Sequence, residues 1–352
     1  MDLSSSNKTH FFFVCTNYGS TKDGIGHYTS KIVDELRKNS SLKITTYSVT
    51  THHLSKLKLL FSMKMSLELL RLKRELQKKS DNSYIILEYP FVEYNPSFLL
   101  MLLSIKAKKN IKSKIVVSLH EYSRTKLFRK LFIRLLIPMS DVVLYTKDED
   151  IKPFINDIIV FKRRLIPANI EPSNRKILKQ TRELNICFFG IVNFETKEIR
   201  NMIEAWEMYL DMVLENKLTF HFISSSFHSD IQANNHLIYH FDLDDNEVSE
   251  LLHKMQFMIL PLKPKISTNN GSLSVCCLHE CVPVGVFDDY YNKKELGLSM
   301  KNYSMQEFIR IYESINNTAF SRITEMAEVA YRHGKKMSIK NSAKSYLELL
   351  AL

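Results

Sequence analysis

The side chains best placed to do chemistry in this chain stand at the ends of apolar runs. In KIVVSLHEYSR, His120 and Glu121 directly follow a run that reads as a buried strand. A histidine at such an edge can donate a hydrogen bond to a hydroxyl or a phosphate, and an adjacent carboxylate can orient a hydroxyl or take its proton. The same pair would also serve to cap the following helix. In ICFFGIVNFETKEIRNMIEAW, an apolar run ends on Gly190, and Lys197 follows near the start of a helical pattern, where an ammonium can balance an anion. In FMILPLKPKISTNNGSLSVCCLHECVPVGVF, a run ends at Pro261 and a loop with Lys263 and Lys265 follows. Asn270, Gly271, Ser272 and Leu273 then open a helix that reaches about His279. Ser272 is a good N-cap type, and a helix start of this kind leaves several N–H groups free to receive an anion.

Glycine usage adds a further candidate. The chain has only eight glycines, and Gly19, Gly24 and Gly26 stand together in TNYGSTKDGIGHYTSKIVDEL, between the apolar run THFFFVCT and the helix-spaced Tyr28, Ile32, Val33 and Leu36. Strand, glycine loop and helix aim bare amides at a phosphate, and a tight turn with no ligand uses the same residues. The spacing is neither GxGxxG nor GxxxxGK[ST], which removes the main support for dinucleotide and P-loop readings. Cys276, Cys277, His279 and Cys281 have metal-ligating side chains. On one helix they point in different directions, and no second pair is spaced to complete a tetrahedron, so a packed helix and no metal is the reading. No GxSxG, HExxH or HxE…PCxxC pattern occurs, which argues against serine hydrolase, zinc protease and zinc deaminase chemistry.

These residues need strands and helices to hold them, and the chain supplies two series. THFFFVCT, LKITTYSV, SYIILEYP, KIVVSLH, DVVLYT and RRLIPANI read as buried strands in the first half, and LNICFFG, LTFHFIS, HLIYHF, FMILPL and VPVGVF in the second, with helical patterns between most of them. Alternation predicts parallel sheets with helices on both faces, and 352 residues suit two domains. The expected division is an N-terminal Rossmann-like domain over 1–170, a linker over 171–183, a C-terminal Rossmann-like domain over 184–335, and a C-terminal helix over 336–352 packing back on the first domain. Ligands of such sheets bind beyond the carboxyl ends of the strands, so two doubly wound α/β domains facing each other would line one cleft.

Charge is divided unevenly. Residues 1–180 hold 32 Lys+Arg against 16 Asp+Glu, and the remainder 17 against 22. The excess gathers in KMSLELLRLKRELQKK (64–79) and SRTKLFRKLFIRLL (123–136), basic amphipathic segments suited to an anionic membrane surface. Aromatic residues are not interleaved there in a single-strand-binding pattern, so nucleic acid is not expected as a partner. Five scattered cysteines, no signal-peptide order at the N-terminus and no apolar run long enough to span a bilayer point to the cytoplasm, peripheral on the inner membrane face.

Taken together, these stretches resemble a GT-B glycosyltransferase, most similar to family 4, the retaining family that includes bacterial polysaccharide and lipopolysaccharide transferases. GIGHYTSKIVDEL resembles its "GIG-x-Y" opening, LHEYSR its histidine-bearing loop, SDVVLYTKDED its "adv-v-xx-S" segment, and ICFFGIVNFETKEIRNMIEAW its "FxGxxxxxKGxxxLIEA". FDLDDNEVSELLHKMQFMILPL resembles "lsdeelaxllxxaDvxvxP", and NNGSLSVCCLHECVPVGVF the helix ending in "GxPVI". The resemblance implies transfer from a UDP- or GDP-linked nucleotide-diphosphate sugar to a glycan acceptor, lipid-linked, in surface polysaccharide synthesis of the O-antigen or capsule type. It implies retention, with no metal or other cofactor. The base would lie near Phe241 to Leu243. Gly24, Gly26, Gly190, Lys197, Leu243, Asn270, Gly271, Ser272 and Leu273 would surround the donor, with His120, Glu121 and Lys197 at the reacting centre.

Three departures stand against the family pattern. Its two glutamates, eight residues apart around the last helix, are Thr268 and Cys276 here, and the arginine after the glycine of "FxG" is Ile191. A "GSL" form of the loop in some relatives matches this chain better. The departures keep two alternatives in play. One is a non-catalytic GT-B-like partner subunit. The other is a GT-B enzyme of different chemistry, an epimerase or an inverting transferase using Glu121 or Asp23 as base.

Overall fold

The structure, a computed structural model, describes residues 9–20, 24–49, 67–68, 70–72, 74–75, 83–89, 113–120, 122, 127–155, 159–173, 184–225, 227–229, 231, 237–268, 270–292 and 295–351. The chain forms two compact units, one from residues up to Leu165 together with Ser342–Leu352, the other from Ile166–Asn341. The crossing at Leu165 falls a few residues before the stretch 171–183, and residues 174–183 lie outside the described ones.

In the first unit, β1 (Thr9–Thr16), β2 (Leu42–Val49), β3 (Ser83–Tyr89), β4 (Ser113–Leu119), β5 (Val142–Tyr145) and β6 (Val160–Arg163) make one parallel sheet in the order β2-β1-β3-β4-β5-β6. The run FFFVC of β1 is buried throughout because both faces are covered. Phe12 and Val14 join a core with Phe132, Ile133 and Leu136 of α2 (Leu127–Leu136), while Phe13 on the other face meets Tyr346, 5.4 Å between ring centroids. Helix α1 (Gly24–Arg37) follows β1 and buries Tyr28, Ile32, Val33 and Leu36, the positions spaced for one face. The stretch RRLIPANI does not form the expected strand. β6 is VFKR and ends at Arg163, and the chain leaves the sheet ahead of Pro167, which has no N–H to give a ladder.

In the second unit, β7 (Leu184–Phe189), β8 (Leu218–Ser224), β9 (Leu237–Phe241), β10 (Phe257–Ile259), β11 (Val282–Gly285) and β12 (Leu298–Ser299) form a second parallel sheet in the order β12-β11-β10-β7-β8-β9. Helix α3 (Ile199–Met212) lies on it through Trp206 and Tyr209, packed edge-on and tilted against Tyr312 of α6 (Met305–Asn316). Helices α4 (Asp245–Leu252), α5 (Gly271–Leu278) and α7 (Phe320–Gly334) complete the layers. Helix α8 (Ile339–Leu347) carries Tyr346 into the first unit. Among the described residues no helix is long and apolar enough to cross a membrane.

Each strand order reverses direction once, between β1 and β3 in the first sheet and between β7 and β10 in the second. Those reversals leave a crevice beyond the carboxyl ends of the two strands, because the connections depart to opposite sides. Gly190, at the end of β7, and Ser272, after β10, lie at the reversal of the second sheet.

Candidate functional site

Gly190 closes β7 with φ +132°, a backbone state that side-chain-bearing residues rarely adopt. Its N–H donates to Ile223 O at 3.1 Å, which pins it to β8. A Cβ built on it would stand 3.2 Å from Lys197 Nζ and 3.2 Å from Ser272 Oγ. Glycine here is therefore what lets an ammonium, a hydroxyl and a helix start share one small volume.

Lys197 is not on a helix, as its sequence suggested, but in a bridge. It pairs antiparallel with Leu262, flanked by Glu198 N–H to Pro261 O and Lys263 N–H to Thr196 O, both 2.9 Å. The Lys263 ammonium pairs with Glu198 Oε1 at 2.7 Å, so this lysine ties two loops together. Lys197 Nζ donates to Ile191 O at 2.5 Å and sits 5.0 Å from the centre of the Phe188 ring. Burial pulls its pKa down to about 8, so an anion arriving beside it would favour the charged form.

Helix α5 opens two residues earlier than a Ser272 cap would give. Asn270 is the N-cap, and its Oδ1 turns back to accept from Ser267 N–H at 2.7 Å rather than capping the helix. Among the described residues no acceptor meets the Gly271 and Ser272 N–H groups. The Leu273 N–H, in contrast, already donates to Asn270 O at 3.1 Å and is not available to a ligand. Two free amides at the positive end of a helix dipole, the Ser272 hydroxyl and the Lys197 ammonium together make an anion cradle. Thr268 and Cys276 add nothing to it, since both are buried, and the Cys276 thiol donates to Cys281 O. His279, the C-cap of α5, bonds to Val275 O and Ser249 Oγ, and Cys281, three residues past the helix, donates to Leu252 O. Leu243 lies at the end of β9, two strands from Gly190, between Asp242 (φ +57°) and Asp244, the N-cap of α4.

In the first unit His120 does not stand outward from its strand end. It is buried, with Nε2 2.6 Å from Tyr28 Oη, 3.2 Å from Glu88 Oε2 and 3.2 Å from Ser118 Oγ. Glu88, 1% exposed, is the centre of this cluster. It accepts from Tyr28 Oη at 3.0 Å and from the hydroxyl of Tyr346, and pairs with Arg164, which also donates to Ser118 Oγ at 2.7 Å and to Tyr346 Oη. Burial alone would raise the Glu88 pKa. Arg164, His120 and Tyr28 reverse that and hold it down to about 2. Burial and the Glu88 charge push the Tyr28 phenol well up. Such a cluster holds its members in one geometry, and its cost is offset only while every partner is present.

Gly26 is corrected too. A Cβ there would lie 2.0 Å from Asn17 O, so the missing side chain serves the approach of α1 to the end of β1 and exposes no backbone to a ligand. A Cβ built on Gly24, the first residue of α1, would meet nothing within 4 Å among the described residues. Glu121, Asp23 and most of segment 64–79 fall outside the described residues. Glu88, Arg164 and Tyr346 were not singled out from the sequence. The one available signal was a single carboxylate inside the apolar run SYIILEY.

No protein-family model matches the chain, and no curated protein matches it in sequence. Solved structures match its fold. The trehalose-6-phosphate protein of E. coli bound with UDP-2-fluoro glucose gives a TM-score of 0.64 at 11% identity, over 97% of this chain and 99% of that one. An alpha,alpha-trehalose-phosphate synthase (UDP-forming) from Burkholderia vietnamiensis gives 0.63 at 10%, over 97% and 99%. TarM gives 0.58 at 14%, over 80% of this chain and 58% of that one. With its two doubly wound parallel sheets, the chain has the GT-B fold.

Proposed function

We propose that the protein is a glycosyltransferase that moves a sugar from a nucleotide-diphosphate donor to a glycan acceptor. The observation that carries this reading is the meeting of Lys197, Ser272 and the free amides of α5 on the bare face of Gly190, at the strand reversal of the second sheet. A diphosphate fits that cradle in charge and in donor count. As the glycosidic bond to the diphosphate breaks, negative charge grows on the leaving phosphate. Lys197 and the Gly271 and Ser272 amides stabilise it there, with no reorganisation needed. The acceptor hydroxyl attacks on the same face and the leaving phosphate takes its proton, so configuration is retained and the residues themselves supply the countercharge. A fold neighbour that binds UDP-2-fluoro glucose supports the donor class.

The finer reading follows from charge. Helix α2 exposes Leu127, Leu131 and Leu135 along one side, beside Lys130 and Arg134, which suits docking on an anionic lipid surface from the cytoplasmic side and a lipid-linked glycan acceptor of the surface-polysaccharide type. The test is donor hydrolysis across UDP- and GDP-sugars, wild type against Lys197→Ala. A loss of about a hundredfold is expected, and undiminished turnover would remove the lysine from the reaction. A second reading, a non-catalytic partner subunit, is favoured by the burial of Thr268 and Cys276. It predicts that no nucleotide sugar shifts the melting temperature.

A further inference from the structure

Two exposed helix faces of this chain carry rows of apolar side chains set among charges of opposite sign. On α2, Leu127, Leu131 and Leu135 stand at i, i+4 and i+8, each more than half exposed. Lys130 and Arg134 run beside them, and the helix holds no acidic residue. Tyr122 keeps both cations along the row. The Lys130 ammonium stands 5.7 Å from the centre of its ring, and Arg134 Nε–H donates to its hydroxyl at 3.1 Å.

Helix α3 shows the complementary arrangement. Its buried side is Met202, Ala205, Trp206 and Tyr209, and its other side exposes Met208 by 44% and Met212 by 63%, with Leu214 fully exposed just past the helix end. Glu204, Glu207 and Asp211 on the helix, and Glu215 beyond it, are exposed as well. Glu204, Met208, Asp211 and Met212 follow i, i+4, i+7 and i+8, so they share one stripe. The one cation of α3, Arg200, is at its start and lies over the Phe194 ring.

Apolar rows of this kind lose free energy while bare in water. Lipid can cover the leucines of α2 only where a membrane is present, and an anionic surface repels the carboxylates of α3. Each face suits the other. Thioethers adapt their shape to facing leucines, and carboxylates meet an ammonium and a guanidinium. The same division runs through the whole chain, with 32 Lys+Arg against 16 Asp+Glu in residues 1–180 and 17 against 22 in the rest. Every copy carries both faces, so a second copy supplies the complement of each.

We infer that the Glu204, Met208, Asp211 and Met212 face of α3 is a docking site for α2 of a second copy of this chain, which covers the leucine row away from a membrane. None of these residues belongs to the anion cradle. Sedimentation of the full chain from about 1 to about 200 μM tests it, and the weight-average mass of the wild type should rise with concentration. Leu131→Glu/Leu135→Glu brings carboxylates against the acidic stripe, and Met208→Lys/Met212→Lys brings ammonium groups against Lys130 and Arg134. Each variant should weaken association by at least about tenfold. All four positions are exposed, and an unchanged melting temperature shows that the variants fold. Mixed in equal amounts, the two variants should associate to within about fivefold of wild type, because the glutamates of one face the lysines of the other and the remaining pair of faces is native. A wild type that stays monomeric across this range while binding phosphatidylserine vesicles would give α2 to lipid alone and overturn the docking. So would association that neither variant weakens, or a mixture that associates no better than its parts.

Discussion

The guanidinium of Arg164 is hydrogen-bonded to the phenol of Tyr346, 182 residues further along the chain, and both reach the same buried carboxylate, Glu88. Tyr346→Phe keeps the ring against Phe13 and beside Arg164, 5.1 Å from its centre, but leaves Glu88 and Arg164 each short of a partner. An unfolding free energy lower by about 1–3 kcal/mol is expected in chemical denaturation. No measurable change would mean that water replaces the hydroxyl.

Acid sensitivity should come in two parts. Rings of His221 and His240 lie end to end, nitrogens 3.0 Å apart and planes within 9°, and burial, then His240, hold the His221 pKa down to about 4. A depressed histidine is neutral in the fold and takes up a proton on unfolding, so its share of stability is lost as pH falls from about 6.5 to 4. Glu88, held at about 2 in the fold, adds stability that is complete above its ordinary range and lost as pH falls from about 4.5 towards 2. In melting temperature against pH, His221→Asn should flatten the upper part and Glu88→Gln the lower. Glu88→Gln should also cost about 3–5 kcal/mol at neutral pH, because Arg164 is left buried without its counter-charge.

Glycines two residues apart should behave in opposite ways. Gly26→Ala puts a Cβ into the Asn17 carbonyl and should destabilise by about 1–3 kcal/mol or more, with activity falling only as the fold does. Gly24→Ala meets nothing among the described residues and stiffens the unfolded chain, for a gain of about 0.4–1 kcal/mol. Paired thermal melts decide, and equal melting temperatures would contradict the packing.

Lys197 is charged only below about pH 8 when no ligand is present. Affinity for a nucleoside diphosphate should therefore weaken as pH rises from 7.5 to 9.5, a range over which the phosphates are already ionised. In Lys197→Arg the guanidinium stays charged and the slope should vanish. A wild-type slope of zero would place the ligand's charge elsewhere.

Leu127, Leu131 and Leu135 are 84%, 57% and 54% exposed on a helix whose other side, Phe132, Ile133 and Leu136, is in the core. Replacing all three by serine should lower binding to anionic vesicles by about tenfold without moving the melting temperature. Unchanged vesicle binding would assign the attachment to another surface.

Strand and helix existence could be read from the sequence because burial on both faces forces unbroken apolar runs such as FFFVC and NICFF. The cradle could be read in part, since Gly190, Lys197 and Ser272 each sit where a strand or loop ends. Its details were not legible. Whether Leu273 or Gly271 offers a free amide depends on one turn of backbone, and Gly26 looks like a ligand glycine until Asn17 is seen in the space its side chain would fill. The Glu88 cluster was hidden for a different reason. Its members come from five separate elements, and only tertiary contact shows that their charges cancel.

The division of the first unit between the two ends of the described chain has a consequence for biosynthesis. Residues up to Leu165 leave the ribosome first, carrying Glu88 and Arg164 without the phenol that bridges them. Ser342–Leu352 emerges only after all of Ile166–Asn341, so the earlier-made sheet waits incomplete while the later one folds. A ribosome stalled before residue 342 should hold a first unit that proteases cut readily, and one stalled well beyond the end of α8 should hold a unit that resists them.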